Sequence, residues 1–331
     1  LYSAFTYYTG FKVNSGEYKL MGLAPYGKPI YEDKVKQLLD LKEDGTFRLD
    51  QKYFNYATGL TMTNEKFNKI FGIKPRQSET EPIKQIHMDI AASIQKVTEE
   101  VMLLITKSLR KEFKIPNLCL AGGVALNCSL NGKIEQSRIF DEIFVQPASG
   151  DAGVAVGACY LAQAAREPKL LPSKNHNFYL GSIYEEVDKE DALLHRGLSP
   201  SRPDNLFDLV ASRLAEGKII GWFQGGAEFG PRALGNRSIL TRPFPAEMKD
   251  YLNARVKFRE EFRPFAPAVL VEYFPEYFEI GQESPHMLIA CQASEKARQE
   301  IPATVHVDNS SSEHWINSVF FTHRRLIWQI P

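Results

Sequence analysis

The sequence lacks what would place it in a membrane, on a nucleic acid or around a cysteine-held metal. No window approaches the ~18 consecutive apolar residues of a membrane span, and no charged-then-apolar leader opens the chain. Lys+Arg and Asp+Glu both total 40, so the formal net charge is zero. A general nucleic-acid binder needs a basic excess on at least one domain. The four cysteines (Cys119, Cys128, Cys159 and Cys291) are scattered without a CxxC pair. In an intracellular chain such residues read as small buried hydrophobes. The seven histidines form no HxxxH or HxH pair, so no zinc-like or iron-like ligand set is legible. There is neither a Walker A loop nor a GxGxxG turn. These absences point to a soluble, cytoplasmic protein with no nucleic-acid and no membrane partner.

What is present is the composition of a core-forming chain. Of 331 residues, 44% are hydrophobic and 24% charged, enough for one large domain or two ordinary ones. Residues 1 to 29 are rich in aromatics and glycine and end in "YKLMGLAPYGKP", where Pro25, Gly27 and Pro29 mark a loop. "DGTF" at 44–47 is a turn signal between short candidate strands. From His87 to Phe113, Ile90, Ile94, Val97, Val101, Leu104, Ile105 and Leu109 recur at helical spacing, and Pro116 stops the helix.

Two similar units follow. "NLCLAGGVALNCSLNGKI" reads as a strand (118–121), a Gly122-Gly123 turn and a helix. "EIFVQPASGDAGVAVGACYLAQAA" repeats the plan, with a strand at 143–146, a loop at 147–153 and a helix rich in small residues. Strand, glycine turn and helix in succession predict α/β architecture. The stretch 165–180, with two prolines, reads as a linker between domains at 1–164 and 181–331. The second domain contains a helix at 206–216, the strand "KIIGWF" and the loop "GGAEFGPRALGNRSIL".

Three loops carry candidate chemistry. Backbone N–H groups at the Gly122-Gly123 turn, ahead of a helix, make a ready anion site, with Asn127 about a turn later to bond a hydroxyl; a purely structural turn is the plainer alternative. Asp151 in "ASGDAG" stands at a strand-to-helix loop, where catalytic and metal-binding carboxylates gather in α/β proteins; a helix cap is the plainer alternative. In the third loop Arg232 and Arg237 are five apart, with Arg255, Lys257, Arg259 and Arg263 beyond. Arginine suits bidentate capture of phosphate or carboxylate, and in a neutral chain such a cluster points to a small anion. An ion-pair network with Glu228, Glu260 and Glu261 is the alternative.

"SGEYKLMGLAPYGKP", "LCLAGGVALNC", "VQPASGDAGVAVGA", "GWFQGGAEFGPRALGNRSIL" and "KFREEFRPFAPAV" together resemble the O-carbamoyltransferases of nodulation-factor and antibiotic tailoring, from Leu1 to about Asp308. The resemblance implies part of an actin-like, ASKHA-type ATPase domain followed by a YrdC-like α+β domain. It implies carbamoyl phosphate, ATP and a divalent metal (Fe2+), with a carbamoyl adenylate intermediate and a hydroxyl-bearing small molecule as acceptor. Carried over by motif, Arg232 and Arg263 are carbamoyl-phosphate ligands, with Arg237 and Lys257 beside them. Gly122, Gly123, Asn127, Lys19 and Ala152 fall at the nucleotide and acceptor site, and Asp151 is a metal ligand. Family members carry a histidine-rich metal motif and an acidic nucleotide motif before "LYSAFTYY". The expectation is therefore a chain short at both ends, with a missing N-terminal half as partner and unrelated text from about residue 309. Two rival readings stay open: a tRNA threonylcarbamoyl-type enzyme, and an inactive anion-binding or assembly subunit.

Overall fold

The computed structural model describes residues 1–167, 178–312 and 314–316. The first layer is helical. Helices α1 (Tyr2–Tyr8), α2 (Glu17–Leu23) and α3 (Glu32–Lys36) precede a hairpin of β1 (Leu39–Leu41) and β2 (Phe47–Leu49), then α4 (Glu65–Phe71). The hairpin is antiparallel, and the Asp44 carboxylate accepts from the Thr46 backbone N–H at 2.9 Å, fixing the turn that "DGTF" predicts. Helices α1, α2 and α3 pack on α5 (Gln85–Phe113), which ends at Lys114 in the left-handed region (φ 56°) ahead of Pro116. The aromatics of the N-terminal stretch make this core. Phe5, Tyr8, Phe67 and Phe71 meet at ring-centroid distances of 4.8–5.7 Å, mostly edge to face or tilted.

The second layer is the pair of strand-loop-helix units. Strand β3 (Asn117–Leu120) pairs in parallel with β4 (Glu142–Val145), each strand leading to a helix, α6 (Cys128–Gln136) and α7 (Gly153–Arg166). Ile143 and Val145 face Leu130 and Ile134 of α6 in one core cluster, and Leu118 and Leu120 pack against it. The alternate residues, Cys119 and Phe144, are paired in register and turn outward. Helix α7 buries no residue, although Val154 and Leu161 are 70% and 75% exposed. Cys119 and Cys159 are thus exposed, against the expectation of buried thiols, because this sheet face and α7 have no covering layer among the described residues.

The remaining elements are α8 (Glu186–His195), α9 (Leu206–Ala215), an antiparallel pair of β5 (Ile220–Phe223) and β6 (Arg237–Leu240), and α10 (Met248–Leu252). Helix α10 runs into a π turn at Asn253–Lys257 and a left-handed Phe258 (φ 47°). Then come β7 (Ala268–Leu270), α11 (Phe274–Tyr277), β8 (Phe278–Glu279), β9 (Ala290–Ala293), α12 (Glu295–Glu300), β10 (Ser310–Ser312) and β11 (His314–Ile316). Strand β9 lies between β10 and β8, antiparallel to both, and β11 pairs in parallel with β7. Most of the 165–180 linker, residues 168–177, lies outside the described residues, as does the chain beyond 316.

The two halves share their cores. Phe262 joins the N-terminal aromatic cluster, and Leu288 and Ile289 complete the cluster under β3 and β4. At the contact, buried Asn131 of α6 donates to Ala125 O at 2.8 Å and to Leu288 O at 2.7 Å.

Candidate functional site

The C-terminal ends of β3 and β4 point their loops the same way, as parallel strands must, and ligands of open α/β sheets bind in that crevice. The Gly122 N–H donates to Ser149 O at 2.7 Å, which ties the glycine turn to the "ASGDAG" loop. Gly122 has φ 97° and open space where a side chain would stand, so only a bare backbone is presented there. The arginine loop, which joins β5 to β6, comes down on the same place. A Cβ on Gly230 (φ 135°) would lie 2.9 Å from Pro147 O. Three loops read separately in the sequence therefore form one junction.

The arginine loop is wired almost entirely to itself. One carboxylate oxygen of Glu228, Oε1, accepts from the backbone N–H groups of Leu234 (2.8 Å), Asn236 (2.8 Å) and Arg237 (3.1 Å). Burial pushes the Glu228 carboxyl up, but these three donors together with its own backbone N–H outweigh it and hold the group below the usual carboxylate range. The Tyr179 hydroxyl donates to Leu234 O at 2.8 Å, and burial beside Glu228 pushes that phenol up to about 12. Asn236 donates its side-chain amide to Gly226 O at 2.7 Å.

The two arginines of this loop have opposite surroundings. Arg237 lies 3.7 Å over the Phe223 ring and donates to the carbonyls of Gln224, Asn236, Ser182 and Gly225. Its guanidinium holds the hairpin and leaves little for a phosphate. Arg232 is the reverse: its Nε is buried with no hydrogen-bond partner among the described residues. In the neighbouring loop Gln146 Oε1 and Ser149 Oγ are likewise buried and unpartnered. Such orphaned groups are rare in folded proteins and mark places where a ligand or water completes the set. Gln146 and Ser149 were not singled out from the sequence, although both stand in the quoted "VQPASGDAG".

A second group of cations forms where the halves meet. Lys19 of α2 lies 2.6 Å from Glu260 Oε1, and Arg263 lies 3.8 Å from Glu260 Oε2 while stacking 4.6 Å over Tyr18. Burial raises the Glu260 carboxyl, yet the Lys19 hydrogen bond and the nearby cations hold it below its ordinary value. Burial together with Arg263 lowers Arg259 to about 10. Lys257 is lowered by burial, then by Arg259 and Arg263. Glu260 thus pairs with Lys19 and Arg263 while Arg259 and Lys257 crowd beside them, an excess of positive charge that favours an anion. The ion-pair alternative accounts for Glu260; Glu228 instead binds backbone.

The other predicted residues sit as follows. Asn127 is 9% exposed and caps α6, its Oδ1 accepting from Leu130 N at 3.0 Å. Its amide also pairs both ways with Gln95, which receives the Tyr2 hydroxyl and donates to Glu99. That network uses the Asn127 oxygen and leaves one amide proton for any ligand. Ala152 occupies the N-cap position of α7 with no side-chain capping bond, and Asp151 is an exposed carboxylate in the preceding turn. The plainer reading of Asp151 as a helix cap therefore gives way. Among the described residues no three His, Cys, Asp or Glu side chains converge on a metal position, so this donor set holds Asp151 and no companions.

The family model described as Carbamoyltransferase N-terminus matches residues 1–160, and the one described as Carbamoyltransferase C-terminus matches 211–319. The chain belongs to the carbamoyltransferase family. The match runs past Asp308, so the stretch read as unrelated from about 309 begins within the family's own sequence. The chain is 49% identical to the uncharacterized protein sll1178 of Synechocystis sp., over 94% of this chain and 55% of that protein. It is 38% identical to nodulation protein NolO of Bradyrhizobium diazoefficiens, over 89% of this chain and 53% of that one. The uncharacterized protein MJ1058 of Methanocaldococcus jannaschii is 32% identical over 96% and 51%. The chain thus spans about half the length of the curated relatives it matches. No helix among the described residues is long and apolar enough to cross a membrane.

Proposed function

We propose that this chain carries the carbamoyl-phosphate site and part of the transfer site of an O-carbamoyltransferase. The observation that carries the reading is Arg232, whose Nε is buried without a hydrogen-bond partner among the described residues, in a loop whose other polar groups are largely satisfied. Arg232 takes the phosphate of carbamoyl phosphate, and Arg263 and Lys257 add positive charge where phosphate leaves. Water attacks the bound carbamoyl phosphate, breaking its bond to phosphate and giving carbamate and inorganic phosphate; carbamate then attacks the α-phosphate of ATP, releasing pyrophosphate and forming carbamoyl adenylate. A hydroxyl of a small-molecule acceptor takes the carbamoyl group and AMP leaves. The glycine turn at Gly122 and Gly123, with the loop to Ala152, is the nucleotide side of the junction; Lys19 and Asn127 border it. The cytoplasm, where both phosphate donors are made, is the compartment this chemistry needs.

The parallel β3–β4 pair with its two helices suits a piece of an ASKHA-type domain, and the arginine-loop half a YrdC-like one. The family's iron does not fit the donors in hand, since Asp151 stands alone among the described residues; no step is drawn through it. The outward face of β3–β4 and α7, apolar at Phe144, Val154, Tyr160 and Leu161, suits a covering partner, and the part of the longer relatives that this chain does not span is the proposed one.

Thermal unfolding with and without carbamoyl phosphate, inorganic phosphate and ATP tests the reading. A ligand at about 100 times its Kd adds roughly 2.7 kcal/mol, a shift of a few degrees. Stabilisation by carbamoyl phosphate that Arg232→Ala abolishes supports it. No stabilisation by any of the three favours an inactive assembly subunit, and stabilisation by ATP alone favours the threonylcarbamoyl-type rival.

A further inference from the structure

The polar groups of the arginine loop raise a question the family reading leaves open. Three backbone N–H groups, those of Leu234, Asn236 and Arg237, converge on one point. Successive N–H groups aimed at one point form an anion-binding nest. Left empty, this nest would compete with Arg232 for any oxyanion entering the junction. It is filled by a side chain of the same loop, the Glu228 carboxylate, two residues before the Gly230 that lies against Pro147.

We propose that Glu228 is the loop's internal anion, a positioning residue that occupies the backbone nest and so leaves Arg232 as the loop's donor for an incoming phosphate. The arrangement has two consequences. Glu228 closes the loop by binding residues six, eight and nine positions ahead of it, which sets the curvature between Glu228 and Leu234 and thereby the position of Arg232. It also adds a negative charge to a site meant for an anion, which loosens the hold on phosphate and favours its release. Arg237 and Tyr179 support the same closure from outside. The first binds the Gln224 and Gly225 carbonyls and the second the Leu234 carbonyl.

The inference rests on the reading of Arg232 as an oxyanion ligand, and the experiment separates the two. Inorganic phosphate is titrated into wild type, Arg232→Ala, Glu228→Gln, Glu228→Ala and the Glu228→Ala/Arg232→Ala double variant. Calorimetry gives the affinities, and amide NMR shifts of residues 234, 236 and 237 give the location. Arg232→Ala should weaken binding at least tenfold, the usual loss of a charge-assisted hydrogen bond. The double variant should regain phosphate binding relative to Arg232→Ala, because the emptied nest now accepts the anion, and its three amides should shift. Glu228→Gln, which keeps an oxygen in the nest, should bind within about tenfold of wild type and show no phosphate-induced shift at those amides. A folded double variant whose amides ignore phosphate overturns the proposal. If Glu228→Ala fails to fold, the decision rests on Glu228→Gln: binding lost as completely as in Arg232→Ala overturns it. If wild type and Arg232→Ala bind phosphate equally, the Arg232 reading has failed, and the amide shifts in Glu228→Ala alone decide whether the nest is real.

Discussion

Substituting Gly132 by alanine tests how tightly the two halves are joined, because two physical effects predict opposite signs. Gly132 lies inside α6, where alanine is favoured over glycine by about 1 kcal/mol. Its face, however, is pressed against β9. A Cβ there would overlap the Ala290 carbonyl oxygen and stand 3.0 Å from the carbonyl carbon, so helix and strand must separate. The neighbouring Asn131 is fully buried and bridges Ala125 O and Leu288 O, bonds that a shift of α6 stretches. Overpacking of this kind costs about 1–3 kcal/mol, and a weakened buried hydrogen bond adds about 1–3 kcal/mol. The net expectation is a loss of roughly 1–5 kcal/mol after the helix gain is subtracted. Gly157 of α7 is the control. It too is helical, but nothing stands within 4 Å of its Cβ position, so Gly157→Ala should stabilise by about 0.5–1 kcal/mol. Equilibrium urea unfolding of both variants reads the difference. If Gly132→Ala is stabilised as Gly157→Ala is, the α6–β9 contact is not as drawn, and the shared core falls with it.

Other expectations follow from single side chains. Phe258 is 81% exposed at φ 47°, so Phe258→Gly should raise stability by about 1 kcal/mol by relieving left-handed strain, seen as a higher urea midpoint. Burial, then the charge of Arg76, lowers His87, whose Nδ1 accepts the Lys84 N–H at 2.9 Å. A depressed histidine stabilises above its unfolded value and loses that contribution as pH falls, so the midpoint should drop below about pH 6.5 and His87→Gln should flatten the drop. Glu260 is likewise depressed, and its stabilisation should disappear only in acid, below about pH 4.5; Glu260→Gln should remove that limb while leaving the histidine one. Arg237→Lys cannot reproduce the four carbonyl contacts from a planar fork, and it should lower the melting temperature more than Arg232→Lys does.

What the sequence made legible was local. Helix α5 carries a repeat long enough to fix both its type and its end, and β3, β4 and the β1–β2 turn are set by neighbouring residues. The junction was only half legible. Each loop announces itself through glycines, yet that Gly230 rests on Pro147 depends on packing between distant segments. Lys19 and Glu260 meet across the whole molecule for the same reason. Asn127 read as a ligand because its position after a glycine turn is that of a binding residue. Its pairing with Gln95, on another helix, is one that no local pattern connects to it. The thiols of Cys119 and Cys159 show the limit from the other side: apolar neighbours predict burial only where a second layer exists to bury them.

Arg232 and Arg237 differ in the work each can do, although composition and spacing treat them alike. For Arg237 to turn towards a phosphate, it would abandon four carbonyl contacts and the Phe223 ring. The backbone left behind would have to find other donors, and the hairpin would open. Arg232 has no such attachment at Nε, so binding an anion there satisfies a buried donor. Desolvation of that donor is already complete in the free protein, so the ligand meets a preorganised group and gains the whole of the new bond. Arg263 is intermediate: its contact with Glu260 is long, 3.8 Å, and its stacking on Tyr18 leaves the guanidinium edge available. The loop therefore sorts chemically identical side chains into one that builds and one that binds. It does so through a carboxylate, Glu228, that a count of charges would have assigned to neutralising both.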